Sequence, residues 1–277
     1  MNQFGGNWTN QKIDIIESYA KAYLKVMQNT RFELIYFDGF AGSGTITQKD
    51  MSVVEGGATR IMSIESKKNF KYYYFVELIK KYAENLEKTL TKRFPDKKIY
   101  VVREDCNKKL ISMAEYLRQP ENKYKKVLAF IDPKGMQVKW EAIEKLKDLG
   151  IDMWILVPTG IGLARLLKKQ GEIPDTWFQK ISEFLGLPEQ EIKKRFYPKV
   201  EINTLFGEIT QRKRYENIIE RAANVYTLRL KDIFEYVSEP FIMRNSKNSP
   251  MYHFFLATNN KTALTIANDV IKPKYKL

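Results

Sequence analysis

The twelve residues from Glu33 to Gly44, ELIYFDGFAGSG, constrain this chain more than any other stretch. Leu34, Ile35, Tyr36 and Phe37 form a short apolar and aromatic run, as a buried parallel strand requires. Asp38 follows at the strand tip, and Gly39, Gly42 and Gly44 then allow a sharp turn and a close approach of backbone to ligand. A carboxylate beside a glycine turn is how an open α/β sheet holds the polar end of a nucleotide-like molecule. Two more specific glycine motifs do not fit. A phosphate-binding P-loop ends in Gly-Lys-Ser/Thr, whereas Thr45 and Ile46 follow Gly44; a nicotinamide fingerprint needs a third small residue where Thr47 stands. A turn that merely connects two elements is the remaining alternative for this stretch taken alone.

The sequel decides between site and connection. The spacing of Ile13, Ile16, Tyr19, Ala20, Tyr23, Leu24 and Met27 predicts a helix over 11–27, capped by Asn10. After Gly44 a polar excursion through Lys49, Asp50 and Glu55 leads to Gly56-Gly57 and a helix; its length suits a lid or an insertion. Strands are then predicted at 71–78, 98–103, 126–131 and 151–157, with helices at 79–93 and from Cys106 to about Leu117. Strict alternation calls for a parallel sheet with right-handed crossovers. Past Gly162 the alternation stops, and 163–236 reads as a basic, mostly helical insertion between the fifth and sixth strands, with runs such as Lys193-Lys194-Arg195 and Arg212-Lys213-Arg214. Phe241–Arg244 and Tyr252–Thr258 then read as strands whose short polar link permits only a hairpin. The expected architecture is a Rossmann-like sheet from 1–162 and 237–277, mostly parallel, closed by an antiparallel hairpin. That closure separates methyltransferases from dehydrogenases.

Four acids stand at four successive strand ends: Asp38, Glu77, Asp105 and Asp132. In a doubly wound sheet those ends meet at one crevice, and each acid has a duty towards S-adenosylmethionine. Asp38 lies under the methionine ammonium, within a turn made of Gly39, Phe40, Ala41, Gly42, Ser43 and Gly44. Glu77, followed by Leu78, accepts the ribose hydroxyls. Asp105 accepts the adenine amino group, with backbone near Cys106 reading the ring edge. Each acid also has a plainer reading, and Asp105 in particular suits a helix cap.

Asp132-Pro133-Lys134-Gly135 occupies the place where methyltransferases acting on exocyclic amines carry Asp/Asn-Pro-Pro-aromatic. There the acid and a backbone carbonyl accept hydrogen bonds from the amine and an aromatic ring stacks on a flipped base. Asp132 and Pro133 keep that pattern. Lys134 and Gly135 depart from it, so the ring must come from elsewhere; Trp140 is the nearest, although its place in the next helix suits the core better. His253, within Tyr252-His253-Phe254-Phe255, reads as packed rather than as a base. Cys106 reads as a buried, inert thiol.

The 277 residues carry 47 Lys and Arg against 33 Asp and Glu, for a formal net charge of +14, which favours a polyanionic partner such as DNA or RNA over a merely solvated surface. The basic helices between Arg165 and Arg229 are the expected nucleic-acid surface; Trp177, Phe196 and Tyr197 there can stack on bases but suit a core equally. One cysteine and one histidine exclude internal disulfides and a Cys- or His-rich metal site. No apolar run of membrane-spanning length and no leader-like start is seen, so a cytoplasmic protein without membrane association is expected.

The order FDGFAGSG, FVEL, ED-CN, AFIDPKG and the closing MYHFFLATNN resembles the three-Cys-motif partner protein (TcmP) family, as does the start, Trp8-Thr9 and Lys12 ahead of a Tyr-rich helix. The resemblance spans most of the chain. It implies a Rossmann-like methyltransferase fold and a three-Cys-motif protein as partner. The FAGSG turn is similar to that of amino-directed DNA and RNA methyltransferases. The expectation is an S-adenosylmethionine-dependent methyltransferase acting on a nucleic-acid base at an exocyclic amine, with Asp132 and Pro133 at the reacting centre. The rival is an inactive methyltransferase-like subunit serving the three-Cys-motif protein.

Overall fold

A computed structural model describes residues 8–43, 45–47, 53–168, 173–204 and 207–272. In chain order, helix α1 (Trp8–Met27) leads into strand β1 (Glu33–Asp38), and a small ribbon of β2 (Thr45–Thr47) and β3 (Val53–Glu55) precedes α2 (Gly57–Met62). Strand β4 (Tyr72–Val76), helix α3 (Lys80–Arg93), strand β5 (Ile99–Val102) and helix α4 (Cys106–Arg118) follow. The chain continues through β6 (Lys125–Ile131), α5 (Trp140–Glu144) and β7 (Ile151–Val157). Beyond a π-turn at Thr159–Leu163 come α6 (Ala164–Leu166), α7 (Asp175–Leu185), α8 (Glu189–Phe196), a ribbon of β8 (Lys199–Thr204) and β9 (Gly207–Arg212), and α9 (Ile218–Lys231). Strands β10 (Tyr236–Val237), β11 (Phe241–Arg244) and β12 (Pro250–Thr258) and helix α10 (Lys261–Ile271) complete the chain.

The main sheet runs β5-β4-β1-β6-β7-β12, with β10 and β11 pairing along the outer edge of β12. The first five strands are parallel and β12 is antiparallel to β7. This is the Rossmann-like, mostly parallel sheet with an antiparallel closure that the sequence pattern called for. The strand order reverses at β1, which lies between β4 and β6, and that reversal opens the crevice at the carboxyl edge.

Two apolar clusters flank the sheet. On one face Tyr19, Tyr23, Tyr36, Phe75, Trp154 and Phe254 pack beneath α1, α2, α3 and α10. On the other, Phe37, Ile131, Trp140, Phe184, Tyr226 and Phe255 pack beneath α4, α5 and α7 to α9. The helices of 163–236 thus cover the sheet and share its core. The segment also holds the β8–β9 ribbon, which the helical reading misses. Val200 and Ile202 alternating with Glu201 and Asn203 carry the period of two, over too few residues to stand out between basic runs. Helix α1 begins at Trp8, so Asn10 lies in its first turn and does not cap it.

A buried polar junction fixes α1 to the sheet. Asp152 on β7 accepts a hydrogen bond from Tyr19 Oη at 2.8 Å and another from Thr258 Oγ1 on β12. Burial pushes the Asp152 carboxyl up from its ordinary range, and the two hydroxyl bonds pull it back in part. Tyr19 also meets Trp154 edge-on, with ring centroids 5.3 Å apart. Removing the acid alone strands two buried hydroxyls, each costing about 1–3 kcal/mol. Asp152→Ala should therefore lower the urea-unfolding free energy by about 2–4 kcal/mol. The combined Tyr19→Phe, Asp152→Leu, Thr258→Val variant should lose far less; an equal loss would mean that shape rather than hydrogen bonding dominates the junction.

Candidate active site

The parallel register brings the sequence-distant acids to one edge. Asp38 ends β1 and is 2% exposed. Its Oδ1 accepts the Phe40 N–H at 3.1 Å, which starts the turn. Gly39 N–H continues the ladder to Phe130 O at 2.9 Å, and Ala41 N–H donates to Val76 O at 3.0 Å. The turn is therefore stitched to both neighbours of β1. At Gly39 an added Cβ would lie 2.6 Å from Cys106 Sγ and 3.0 Å from Ile131, so only glycine lets the start of α4 close on the turn. Gly42 has φ +66°, and among the described residues a Cβ there would meet nothing within 4 Å. Its side of the turn faces open space, which is the cradle a ligand needs.

Glu77, just beyond β4, clamps that turn. Its Oε2 accepts the Gly42 N–H at 2.9 Å and its Oε1 accepts the Ile79 N–H at 2.8 Å at the start of α3. Each oxygen keeps a further lone pair for a hydroxyl. Leu78 and Ile79 beside it are 60% and 47% exposed, an apolar lip that the fold itself does not use. Asn85 Nδ2 donates to Ser43 O at 3.2 Å and so holds the far side of the turn. Gly44 lies outside the described residues.

Asp105 caps α4, its Oδ1 accepting from the N–H groups of Asn107 and Lys108 at 2.9 and 3.3 Å. Its plainer reading is thus realised, while Oδ2 is left over for other work. Cys106 is buried beneath Gly39, and burial pushes its thiol well up, as suits an inert side chain.

Asp132 follows β6, with Pro133 buried behind it. Its Oδ2 is ion-paired to Lys12 Nζ on α1, both side chains being mostly shielded at 17% and 12% exposure. Lys12 is the residue at this edge that motif reading missed, having entered only as part of a resemblance. Its signal was positional. Lys12, Ile16, Tyr19 and Tyr23 fall at i, i+4, i+7 and i+11, which places a cation on the buried stripe of an amphipathic helix.

Asp38 shows what that cation does. Burial pushes its carboxyl up to about 7; the Phe40 N–H opposes this, the nearby Asp132 charge adds to it, and Lys12 opposes it. The loop after Pro133 is held by Asn107, which donates from Nδ2 to Gln137 O at 3.0 Å and accepts the Lys139 N–H at 2.7 Å. Lys134 is exposed. A cavity of about 270 Å³ lies between this loop and α7, bounded by Met136, Lys139, Gln179 and Phe184.

Other candidates are placed elsewhere. Trp140 is 1% exposed, donates from Nε1 to Glu144 at 2.8 Å and meets Tyr226 edge-on, so it belongs to the core. His253 is buried, lies 2.7 Å from Thr159 Oγ1 through Nδ1, and burial depresses its pKa to about 4. It is packed, as expected. Among the basic helices, Lys193 and Arg195 pair with Glu189 and Glu191, Arg229 pairs with Glu144 and Asp232, and Arg214 donates to Leu167 O. Phe196 is fully buried, and Trp177 and Tyr197 are half-buried. Much of that basic surface is spent on structure. No helix among the described residues is long and apolar enough to cross a membrane.

No family model and no curated protein matches the chain. Among solved structures, a Legionella pneumophila protein of family DUF519 is 15% identical, covering 95% of this chain and 91% of its own, with a TM-score of 0.48. Trm1 from Pyrococcus horikoshii, solved with S-adenosyl-L-methionine, is 10% identical over 96% of this chain and 58% of its own, with a TM-score of 0.49. An rRNA methylase from Streptococcus thermophilus is 12% identical over 88% of this chain and 94% of its own, with a TM-score of 0.38. The assignment of the site rests on its own geometry.

Asp38 holds its proton more tightly in the folded chain than in the unfolded one. The unfolded chain releases that proton near pH 4 and the folded chain keeps it to about pH 7, so stability falls as pH rises through this window, by at most about 1.4 kcal/mol per pH unit. Asp38→Asn keeps the acceptor for Phe40 and removes the titration. Urea unfolding should find it more stable than the parent at pH 8 and little changed at pH 4. A variant that tracks the parent across the range would show that Asp38 does not hold its proton.

Proposed function

We propose that this chain is an S-adenosylmethionine-dependent methyltransferase acting on a nucleic-acid base, at an exocyclic amine. One observation carries the reading: Asp38, Glu77, Asp105 and Asp132 share the carboxyl edge of the sheet around a turn that faces open space at Gly42.

The residues fit the cofactor. Asp38, buried at the base of the turn, suits an ammonium group. Glu77 has lone pairs free for the two ribose hydroxyls, the exposed Leu78 offers an apolar face to the adenine ring, and Asp105 Oδ2 offers an acceptor at its edge. Bound there, the cofactor supplies an electrophilic methyl group. The protein contributes position. Lys12 holds one oxygen of Asp132, and Oδ1 remains to accept a hydrogen bond from the target amine, which aims the nitrogen lone pair along the line of transfer. The amine needs no base beforehand, because its proton can leave after attack. The surplus of cations over acids in the whole chain favours a nucleic-acid substrate.

A second reading is an inactive methyltransferase-like subunit serving a three-Cys-motif protein. Two observations favour it: Lys12 already occupies Asp132, and an exposed Lys134 stands where a stacking ring would be.

Transfer of labelled methyl from S-adenosylmethionine to structured RNA and duplex DNA separates the two. Asp132→Ala should lower transfer by about 100-fold or more and leave S-adenosylhomocysteine affinity essentially unchanged. Transfer that survives the substitution removes Asp132 from the mechanism. Calorimetry in buffers of different ionisation enthalpy adds an independent readout. An ammonium over Asp38 favours its charged form, so binding near pH 7 should release a proton, and Asp38→Asn should abolish that release. A parent protein that binds no cofactor would leave only the second reading.

A further inference from the structure

The open sheet face near its β5 edge is lined by tyrosines. On β4, Tyr73 and Phe75 point into one core while Tyr72 and Tyr74 face the other way and are only half-buried. The register sets Phe37 opposite Tyr74 and Tyr74 opposite Tyr100. Their rings form a file across three neighbouring strands: Phe37 and Tyr74 are 5.8 Å apart and 8° from parallel, Tyr74 and Tyr100 are 6.1 Å apart and 28° from parallel. Helix α4 overhangs this shelf with Lys109, Ser112, Met113 and Tyr116, at i, i+3, i+4 and i+7 on one face. Between helix and sheet lies a cavity of about 400 Å³. Tyr100 and Tyr116 remain 47% and 44% exposed.

A fold gains nothing by leaving seven aromatic or apolar side chains around an open slot, and charge indicates what fills it. Among the described residues, Lys109 is the one charged residue lining the cavity. At the rim Lys71 and Lys98 lie 5.5 and 5.6 Å from the Tyr72 ring, and Lys125 lies 5.3 Å from the Tyr116 ring. Glu33 pairs with both Lys71 and Lys125, and among the described residues Lys98 and Lys109 have no ion-pair partner. Aromatic faces for bases beside ammonium groups for phosphates are the two halves of a single-strand binding surface. The volume is at the low end for a ligand pocket and gives room for one or two bases.

We propose that this groove binds an unpaired segment of a nucleic acid, with its bases stacked on Tyr74, Tyr100 and Tyr116 and its phosphates held by Lys98 and Lys109. It lies on the sheet face beneath α4, with Lys71, Lys98 and Lys125 at the amino-terminal ends of β4, β5 and β6 on its rim, and so engages the strand outside the nucleotide presented to Asp132. The choice of nucleic acid rests on the function proposed above, but binding at the groove is independent of cofactor and of transfer.

Fluorescence anisotropy with end-labelled ten-nucleotide oligo(U) and oligo(dT) tests it on the full chain. Tyr100→Ala and Tyr116→Ala alter exposed side chains, so the fold should persist, as circular dichroism would verify. Each should weaken binding by about tenfold, while S-adenosylhomocysteine affinity, read by calorimetry, stays at the parent value. Lys109→Gln should weaken binding and flatten its dependence on salt. An oligomer of abasic sugar-phosphate should bind weakly and respond to the lysine change but not to the tyrosine changes. The proposal is overturned if the tyrosine variants bind oligo(U) and oligo(dT) like the parent. It is equally overturned if uridine monophosphate alone saturates the groove at the same affinity, or if the variants change only the sedimentation coefficient, which would assign the groove to a small nucleotide or to a second copy of the chain. Loss of cofactor binding in the parent with oligonucleotide binding intact would defeat the enzymatic reading and spare this one.

Discussion

Two acids share a shielded strand edge, which burial and their mutual repulsion make costly to ionise, and Lys12 is the cation that opposes this. Asp38 ends β1 and Asp132 directly follows the neighbouring β6, so parallel pairing brings both carboxyl groups to one edge. Lys12 reaches Asp132 from α1, and that helix is held in turn by the Tyr19–Asp152–Thr258 junction on the opposite half of the sheet. The site's electrostatics thus depend on a helix that precedes the sheet. An error of one helical turn in α1 would leave two uncompensated acids at the crevice, a state that costs far more than a lost surface pair.

Much of this was legible in the sequence because the signals were local. The strand at 34–37, the acids at strand tips and the short link before Pro250 each depend on a few adjacent residues, and the five parallel strands fall where those residues put them. What escaped was non-local or faint. The role of Lys12 depends on packing 120 residues away in the chain. The β8–β9 ribbon has only a brief alternation within a basic stretch. The duties of Glu77 and Asp105 were half legible: sequence shows an acid at a strand end but cannot show that backbone N–H groups already engage it. For Asp105 one oxygen caps the helix and the other is the acceptor proposed for the ligand.

The distribution of charge is also more discriminating than its sum. A net charge of +14 suggests a broad basic face, and the natural place for it was the helices of 163–236. There, however, acids within a helical turn answer many of the cations, and several arginines cap carbonyls of neighbouring elements. Exposed pairs of that kind contribute little to stability, yet they lower the local potential. Around the β5 edge the balance differs: Glu33 pairs with Lys71 and Lys125, and among the described residues Lys98 and Lys109 have no ion-pair partner. Local excess, rather than total charge, is what a polyanion senses within a Debye length.

The turn at Gly42 joins these themes. Its N–H is held by Glu77, its φ is positive, and its outer side is open, so the backbone is arranged before any ligand arrives. Preorganisation of this kind lowers the ordering cost of binding. It also explains why an acid already engaged by the backbone remains useful: the Gly42 and Ile79 N–H groups each take one lone pair of Glu77 and fix the direction of the others. A freely rotating carboxylate would have to be ordered by the ligand. Here the fold has done that ordering, through the same contacts that bring β1, β4 and α3 together, and so the geometry of the crevice and the stability of the sheet edge cannot be varied separately.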